Sequence, residues 1–518
     1  MAERVALSLP ESIQTIPEAL AFWAEQTPDA PALRAIDGRE WSHHELRAAV
    51  RQVARRFVAL GVPPDAPIAL VLPSGATACL ALLGASVAAV AAPLNPHASA
   101  HELTRDLRRL GAPLVVTGGS STATVGRTAA DLGIAAIGVD ELLEPGEQPT
   151  VGRDGLPLRD PDDIAVLLHT SGTTADPKRV PRPHRTYVAA ARAATLCTAL
   201  TPADVGLLVN RLHTNGGVGN LFASLFSGGC CVATPGLDPR AAPEWLANHR
   251  PTWFVTTPTD LTMLLDAAAA TGRESLIGPD SRLRAVRIGA QPAPPGLIER
   301  AERGLGAFVF DGFGMTEASY VTGQGPDPED RRAGTVGRPL LSEIRVLGAD
   351  GADLPPGATG EIVIRGETLF PGYLDDPAAN AAAFMLGGWF RTGDLGRLDE
   401  AGHLSLSGRS IEQINRGAEK IAPVEVDTAL LAHPAVAEAA VFAVPDARLG
   451  EDIVAAVVLR PGRTATAREL RGWLLRTLSP FKVPRRMWLV DALPRTVTGK
   501  VQRGVLAERF GEHMRGER

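Results

Sequence analysis

The stretch His169-Thr-Ser-Gly-Thr-Thr-Ala-Asp-Pro-Lys178 decides how this chain is read. Thr170, Ser171, Thr173 and Thr174 flank Gly172, and they follow the apolar run Asp163-Ile-Ala-Val-Leu-Leu168. A short apolar run of this kind predicts a buried strand. A strand that enters a loop rich in glycine and hydroxyls suits an anion. Backbone N–H groups and hydroxyls surround phosphate oxygens, and Lys178 adds a point charge. The spacing is not that of a Walker A loop, because Gly-x4-Gly-Lys-Ser/Thr is absent. Taken alone, the stretch is also readable as a polar surface turn.

On both sides of this loop, helical and strand patterns alternate. Glu45–Leu60 has helical apolar spacing, and Pro67–Leu72, Pro113–Thr117, Gly206–Asn210, Thr252–Thr256, Leu283–Gly289 and Ala307–Phe310 read as strands. The run from Ala78 to Leu94 is almost wholly apolar, but it is short for a membrane span and carries Gly84, Ser86 and Pro93. It predicts a buried helix followed by a strand. Such alternation argues for an α/β fold with parallel sheets covered by helices.

After about Gly334 the character changes. Ile344–Leu347 and Gly360–Arg365 are short strand patterns between Gly/Pro turns, which predict a β-rich subdomain over about 334–408. A boundary is expected at Gly408-Arg409, so that residues 1–408 form a large N-terminal domain and 409–518 a small α+β C-terminal domain.

At 518 residues with 45% hydrophobic content, the chain has enough apolar material for large packed cores. A net charge of −6 gives no reason to expect nucleic acid or an anionic membrane as the main partner. Four cysteines make no disulfide framework, and adjacent Cys230 and Cys231 read as small core residues. No metal-ligand spacing of Cys or His occurs, and the start lacks the apolar core of a signal peptide, so a reducing cytoplasm is the expectation.

Four further segments carry chemistry. In Asp311-Gly-Phe-Gly-Met-Thr-Glu317, Gly312 and Gly314 permit close approach of a ligand, and Glu317 is of the type that holds Mg²⁺ against phosphate. Trp389-Phe-Arg-Thr-Gly-Asp394 places a carboxylate after an expected tight turn, where it suits a ribose diol. Arg409 falls at the expected boundary. Lys500, after Gly499 in the last loop, is a mobile positive charge of the kind that stabilises a transferring phosphoryl group.

In this order and at these spacings, the segments resemble the adenylate-forming superfamily of acyl-CoA synthetases, peptide-synthetase adenylation domains and luciferases. The likeness runs over about residues 15 to 510 and is greatest to the small-acid and fatty-acid CoA ligase branch, through Asn415–Pro423 and Val483-Pro-Arg-Arg486. The resemblance implies an ATP- and Mg²⁺-dependent ligase. It would convert a small acid to an acyl-AMP, release pyrophosphate, and pass the acyl group to a thiol, foremost CoA. It also implies roles. Thr170, Ser171, Gly172, Thr173, Thr174 and Lys178 would hold the ATP phosphates, Thr316 the α-phosphate and Glu317 the metal. Gly289, Ala290 and Gln291 would lie at the adenine, and Asp311, Gly312, Phe313, Gly314 and Met315 would also bind the nucleotide cofactor. Asp394 and Arg409 would hold the ribose, His213 would stand beside the acyl pocket, and Lys500 would bridge carboxylate and α-phosphate. The C-terminal domain would swing between the two half-reactions.

The chain departs from the family pattern at Ala175 and Arg179, where glycines are common, and Arg179 is expected to add a second charge near the phosphates. Ile411 replaces a polar hinge residue, Ala418 replaces a glycine bordering the thiol tunnel, and Gln291 stands where a small residue or Glu is usual. These changes leave the acceptor open between CoA, a carrier protein, an amine, and a diazotase-like activation of nitrite for an aryl amine. A catalytically silent nucleotide-binding homologue is a further reading, against which Lys500, Glu317 and Asp394 speak.

Overall fold

The computed structural model describes residues 8–144, 155–170, 178–272, 275–290, 293, 296–409, 414–416, 419–446, 449–476, 478, 480–496 and 500–515. Two helix-covered sheets dominate its first three-fifths. One runs in space Ala135–Gly138, Leu114–Thr117, Pro67–Val71, Val90–Pro93, Ile164–His169, Arg179–Pro183. Its pairings are parallel except the last, where Ile164–His169 and Arg179–Pro183 are antiparallel. The other runs Phe308–Asp311, Ala285–Ile288, Trp253–Thr256, Val205–Leu208, Cys230–Ala233, Pro31–Ala35, Glu40–Ser42. It too is parallel but for the final edge pair.

The apolar run flagged in the sequence forms the helix Ala76–Ala88 and the strand Val90–Pro93. That helix is buried along nearly its whole length and packs against strands of both sheets, which is why it has no polar face. Among the described residues no helix is long and apolar enough to cross a membrane. Polar helix starts are closed by capping boxes, as at Ser42 with Glu45 and Ser99 with Glu102. The described residues carry Cys79, Cys197, Cys230 and Cys231 as buried free thiols.

Downstream, Ser342–Leu347, Gly360–Gly366, Trp389–Leu398, Phe384–Met385 and Leu404–Arg409 build an antiparallel sheet. A last sheet joins Glu419–Ile421, Ile414–Arg416, Gly450–Leu459, Val436–Asp446 and Arg486–Leu489, and the helices Pro423–Leu431, Ala467–Leu474 and Arg503–Arg515 accompany it. It has hydrophobic clusters of its own, around Val426, Leu430 and Ile453 on one side and Phe442 and Leu506 on the other. The helical pattern read from Arg468 to Leu478 stops at Leu474, a few residues before Pro480.

Candidate active site

Parallel strands bring their carboxyl ends to one edge, and that is where ligands gather in such sheets. In the larger sheet, His213 follows Val205–Leu208, Asp260 follows Trp253–Thr256, Gly289 follows Ala285–Ile288, and Gly312 follows Phe308–Asp311. A methyl group at Gly289 would stand 3.0 Å from the Gly312 carbonyl oxygen, so these two loops touch. Gly312 donates its N–H to the Ile288 carbonyl at 3.1 Å. A side chain at position 312 would place its Cβ 2.5 Å from Arg287 Nε, so it would displace the guanidinium that packs against this glycine. Ala290, next to Gly289, holds φ at 74°, a left-handed backbone rare for alanine.

The phosphate-type loop has a firm base. The Thr170 N–H donates to the Lys178 carbonyl at 3.0 Å, and the Lys178 N–H donates to Thr170 Oγ1 at 3.0 Å. Ser171, Gly172, Thr173 and Thr174 lie outside the described residues, as do Gln291, Ile411 and Ala418. Lys178 Nζ stands 4.4 Å from the centre of the Tyr373 ring, and the Tyr373 hydroxyl donates to Glu317 Oε1 at 2.8 Å. One tyrosine thereby joins the lysine of the first motif to the carboxylate of the second.

Thr316 and Glu317 sit on a tight turn closed by Met315 N–H to the Ala318 carbonyl at 2.8 Å and the reverse bond at 3.2 Å. Arg182 fixes this turn. Its side chain is fully buried and donates to the Thr316 carbonyl at 2.8 Å, Ser319 Oγ at 3.1 Å and the Thr368 carbonyl at 3.1 Å. Asn215 Nδ2 adds a bond to the Met315 carbonyl at 2.8 Å. Asn215 opens the helix Asn215–Phe226, whose cap is Thr214. Glu317 is itself buried. A buried carboxylate oriented by a phenol suits a Mg²⁺ ion that takes its other ligands from phosphate and water.

Asp394 and Arg409 are register partners on adjacent antiparallel strands. Asp394 therefore lies within a strand and not after a simple tight turn. Gly393, at φ 71°, kinks the strand just before it, which accounts for the turn-like sequence. His213 is largely buried, and its Nε2 has no hydrogen-bond partner among the described residues. Burial, then the charges of Arg211 and His97, pull it down to about 4, so it is a neutral imidazole at physiological pH. Burial pushes Asp311 up to about 7, against its bond from the Gly312 N–H and the field of Arg287.

Lys500 closes a second pinned loop. Thr496 donates its N–H to the Lys500 carbonyl at 2.8 Å, and the Lys500 N–H donates to Thr496 Oγ1 at 3.1 Å. Burial raises the Asp260 carboxyl, opposed by its Thr257 hydrogen bond and then by the charges of Arg211 and of Arg495 from that loop.

The expectation for Arg179 is corrected. Its guanidinium pairs with Asp375 at 2.8 Å and donates to the Leu374 and Arg109 carbonyls. These bonds give its charge a carboxylate partner and tie the strand to the segment that carries Tyr373. Sequence reasoning missed Arg182 and Tyr373. An arginine inside a short strand and a tyrosine between turns carry no spacing signal; only the fully buried charge in the fold reveals the first.

The AMP-binding enzyme model matches residues 20–374, and the AMP-binding enzyme C-terminal domain model matches 425–500. The chain belongs to the AMP-binding enzyme family. Within that adenylate-forming family it falls in the CoA-ligase branch. It is 33% identical over 504 residues to an oxalate–CoA ligase of Arabidopsis thaliana, covering 94% of this chain and 97% of the relative. It is 34% identical over 503 residues to a sulfoacetate–CoA ligase of Cupriavidus necator, covering 95% and 97%. Among solved structures, the O-succinylbenzoate coenzyme A synthetase of Bacillus subtilis in complex with ATP and a magnesium ion aligns with a TM-score of 0.83 at 30% identity, covering 94% of this chain and 98% of that one.

Proposed function

We propose that this AMP-binding enzyme activates a small carboxylic acid with ATP and transfers the acyl group to the thiol of CoA. The observation that carries the reading is the junction of Lys178, Tyr373 and Glu317 beside the turn of Thr316. It gathers one cation, one acid and a hydroxyl residue where a triphosphate would lie across the carboxyl edge of the sheet. The relatives named above, ligases of small acids and CoA, support the same reading.

A carboxylate is a poor acyl donor because oxide would have to leave. Attack of its oxygen on the α-phosphorus breaks the bond to the β-phosphate oxygen, so pyrophosphate departs and a mixed anhydride with AMP forms. Two anions must meet, so charge neutralisation is the main demand on the site. The Thr170–Lys178 loop would hold the phosphates, Thr316 the α-phosphate, and Lys500 the approaching carboxylate. Gly289–Gln291 would contact adenine, Asp311–Met315 would lie against the nucleotide, and Asp394 with Arg409 would hold the ribose. Magnesium, when bound at Glu317, screens phosphate charge. Neutral His213 would border the acyl group without adding charge. In the second half-reaction the thiol sulfur bonds to the acyl carbon, AMP leaves with the former carboxylate oxygen, and the thiol proton passes to solvent. Residues 409–518 would move between the steps, carrying Lys500 with them.

Pyrophosphate release, followed with a panel of acids and nitrite with and without CoA, tests this. A CoA thioester of a carboxylic acid is expected. AMP formation that ignores CoA would sink the CoA assignment, and release driven by nitrite with an aryl amine would point to the diazotase-like chemistry instead.

A further inference from the structure

The reading above leaves the acid unnamed, and the structure holds a buried cation on the strand that leads to Gly289. Arg287, on the strand Ala285–Ile288, is 8% exposed. Its Nη2 reaches the Phe313 and Thr322 carbonyl oxygens, each at 3.4 Å. Its Nε is buried without a hydrogen-bond partner, and Nη1 makes no hydrogen bond to the described residues. The described residues provide no carboxylate in ion-pair contact with it. Asp311 is close enough to feel its field, but that carboxyl is engaged by the Gly312 N–H at 2.8 Å. A buried charge so poorly compensated is costly, and an anion arriving with the substrate would repair the deficit.

The guanidinium is also held in place. It lies 4.3 Å from the centre of the Tyr320 ring. Tyr320 has φ 51°, a strained backbone for an aromatic residue. Its hydroxyl donates to Asn220 Oδ1 at 3.2 Å, and Asn220 Nδ2 donates to Asn210 Oδ1 at 2.8 Å. On the helix Asn215–Phe226, a Cβ at Gly219 would stand 3.8 Å from the Tyr320 ring. Strain, stacking and a chain of hydrogen bonds thus orient one arginine. This is more than packing requires.

We propose that Arg287 receives a second anionic group on a short acid, a dicarboxylate or a sulfonated carboxylate, whose reacting carboxylate points to the Thr316–Glu317 turn. This inference rests on the acid-activation reading. Its test is pyrophosphate release by the full-length protein with oxalate, malonate and sulfoacetate against acetate and propionate. The wild-type protein is expected to favour at least one dianionic acid in kcat/KM. Arg287→Met is expected to cut the ratio of dianionic to monoanionic kcat/KM about 100-fold, and Arg287→Lys to keep part of it. Acetate or propionate turned over as well as every dianionic acid by the wild-type protein overturns the proposal, whatever the variants do. Equal losses on both classes in a folded Arg287→Met protein overturn it too. If no acid of either class releases pyrophosphate, the activation reading falls with it.

Discussion

Tyr373 donates its hydroxyl to Glu317 Oε1 at 2.8 Å, and this bond orients the carboxylate assigned to magnesium. Partners that orient a metal ligand typically contribute 10–100-fold in metal affinity. Tyr373→Phe is therefore expected to raise the Mg²⁺ concentration needed for half-maximal pyrophosphate release by about tenfold. A magnesium titration identical to that of the wild-type protein would show that Glu317 needs no such support.

Arg182 bonds three main-chain or side-chain oxygens around the Thr316–Glu317 turn while fully buried. Arg182→Leu leaves those oxygens unpaired and is expected to cost about 3–5 kcal/mol of stability. Arg182→Lys keeps the charge but not the fork, so it should fall between the two. Chemical denaturation measures both; a loss below about 1 kcal/mol for the leucine variant contradicts the network's role.

The Asp311 carboxyl is raised from 3.8 to about 7, with burial the main cause. Between those two pH values the folded protein keeps a proton that the unfolded chain has lost. Stability from this group is complete below the lower value and is lost as pH rises through about 7. Asp311→Asn cannot titrate, so its unfolding midpoint should fall less than that of the wild-type protein between pH 5 and pH 8. Parallel pH dependences in the two proteins would remove Asp311 as the cause.

Lys500 is assigned to the first half-reaction alone. Lys500→Ala is expected to slow pyrophosphate release about 10²–10³-fold, the usual cost of one group that stabilises transition-state charge. The same variant, supplied with a preformed acyl-AMP and CoA, should still make thioester at a rate near that of the wild-type protein. Equal slowing of both steps would place the lysine in both.

The alternation of helix and strand patterns was enough to expect the two covered sheets, because burial on both faces makes parallel strands into short apolar runs. The Ala76–Ala88 helix was legible for the same reason. Asp394 was harder: Gly393 resembles the centre of a turn, yet cross-strand bonds keep the kinked segment within a sheet. Arg179 misled because its neighbours in sequence suggested phosphate, while Asp375, which claims its charge, lies far along the chain.

Contiguous segments were sufficient for the chemical class, since the residues from Thr170 to Lys178, the Thr316-Glu317 pair and the loop of Lys500 each carry their chemistry locally. Which groups meet was decided by folding. The contacts of Tyr373 with Glu317, Arg182 with Thr316, and Arg287 with Tyr320 join segments that no periodicity or spacing links. They exist because the fold packs segments distant in sequence against one another, where a buried polar group must take whatever partner the packing provides.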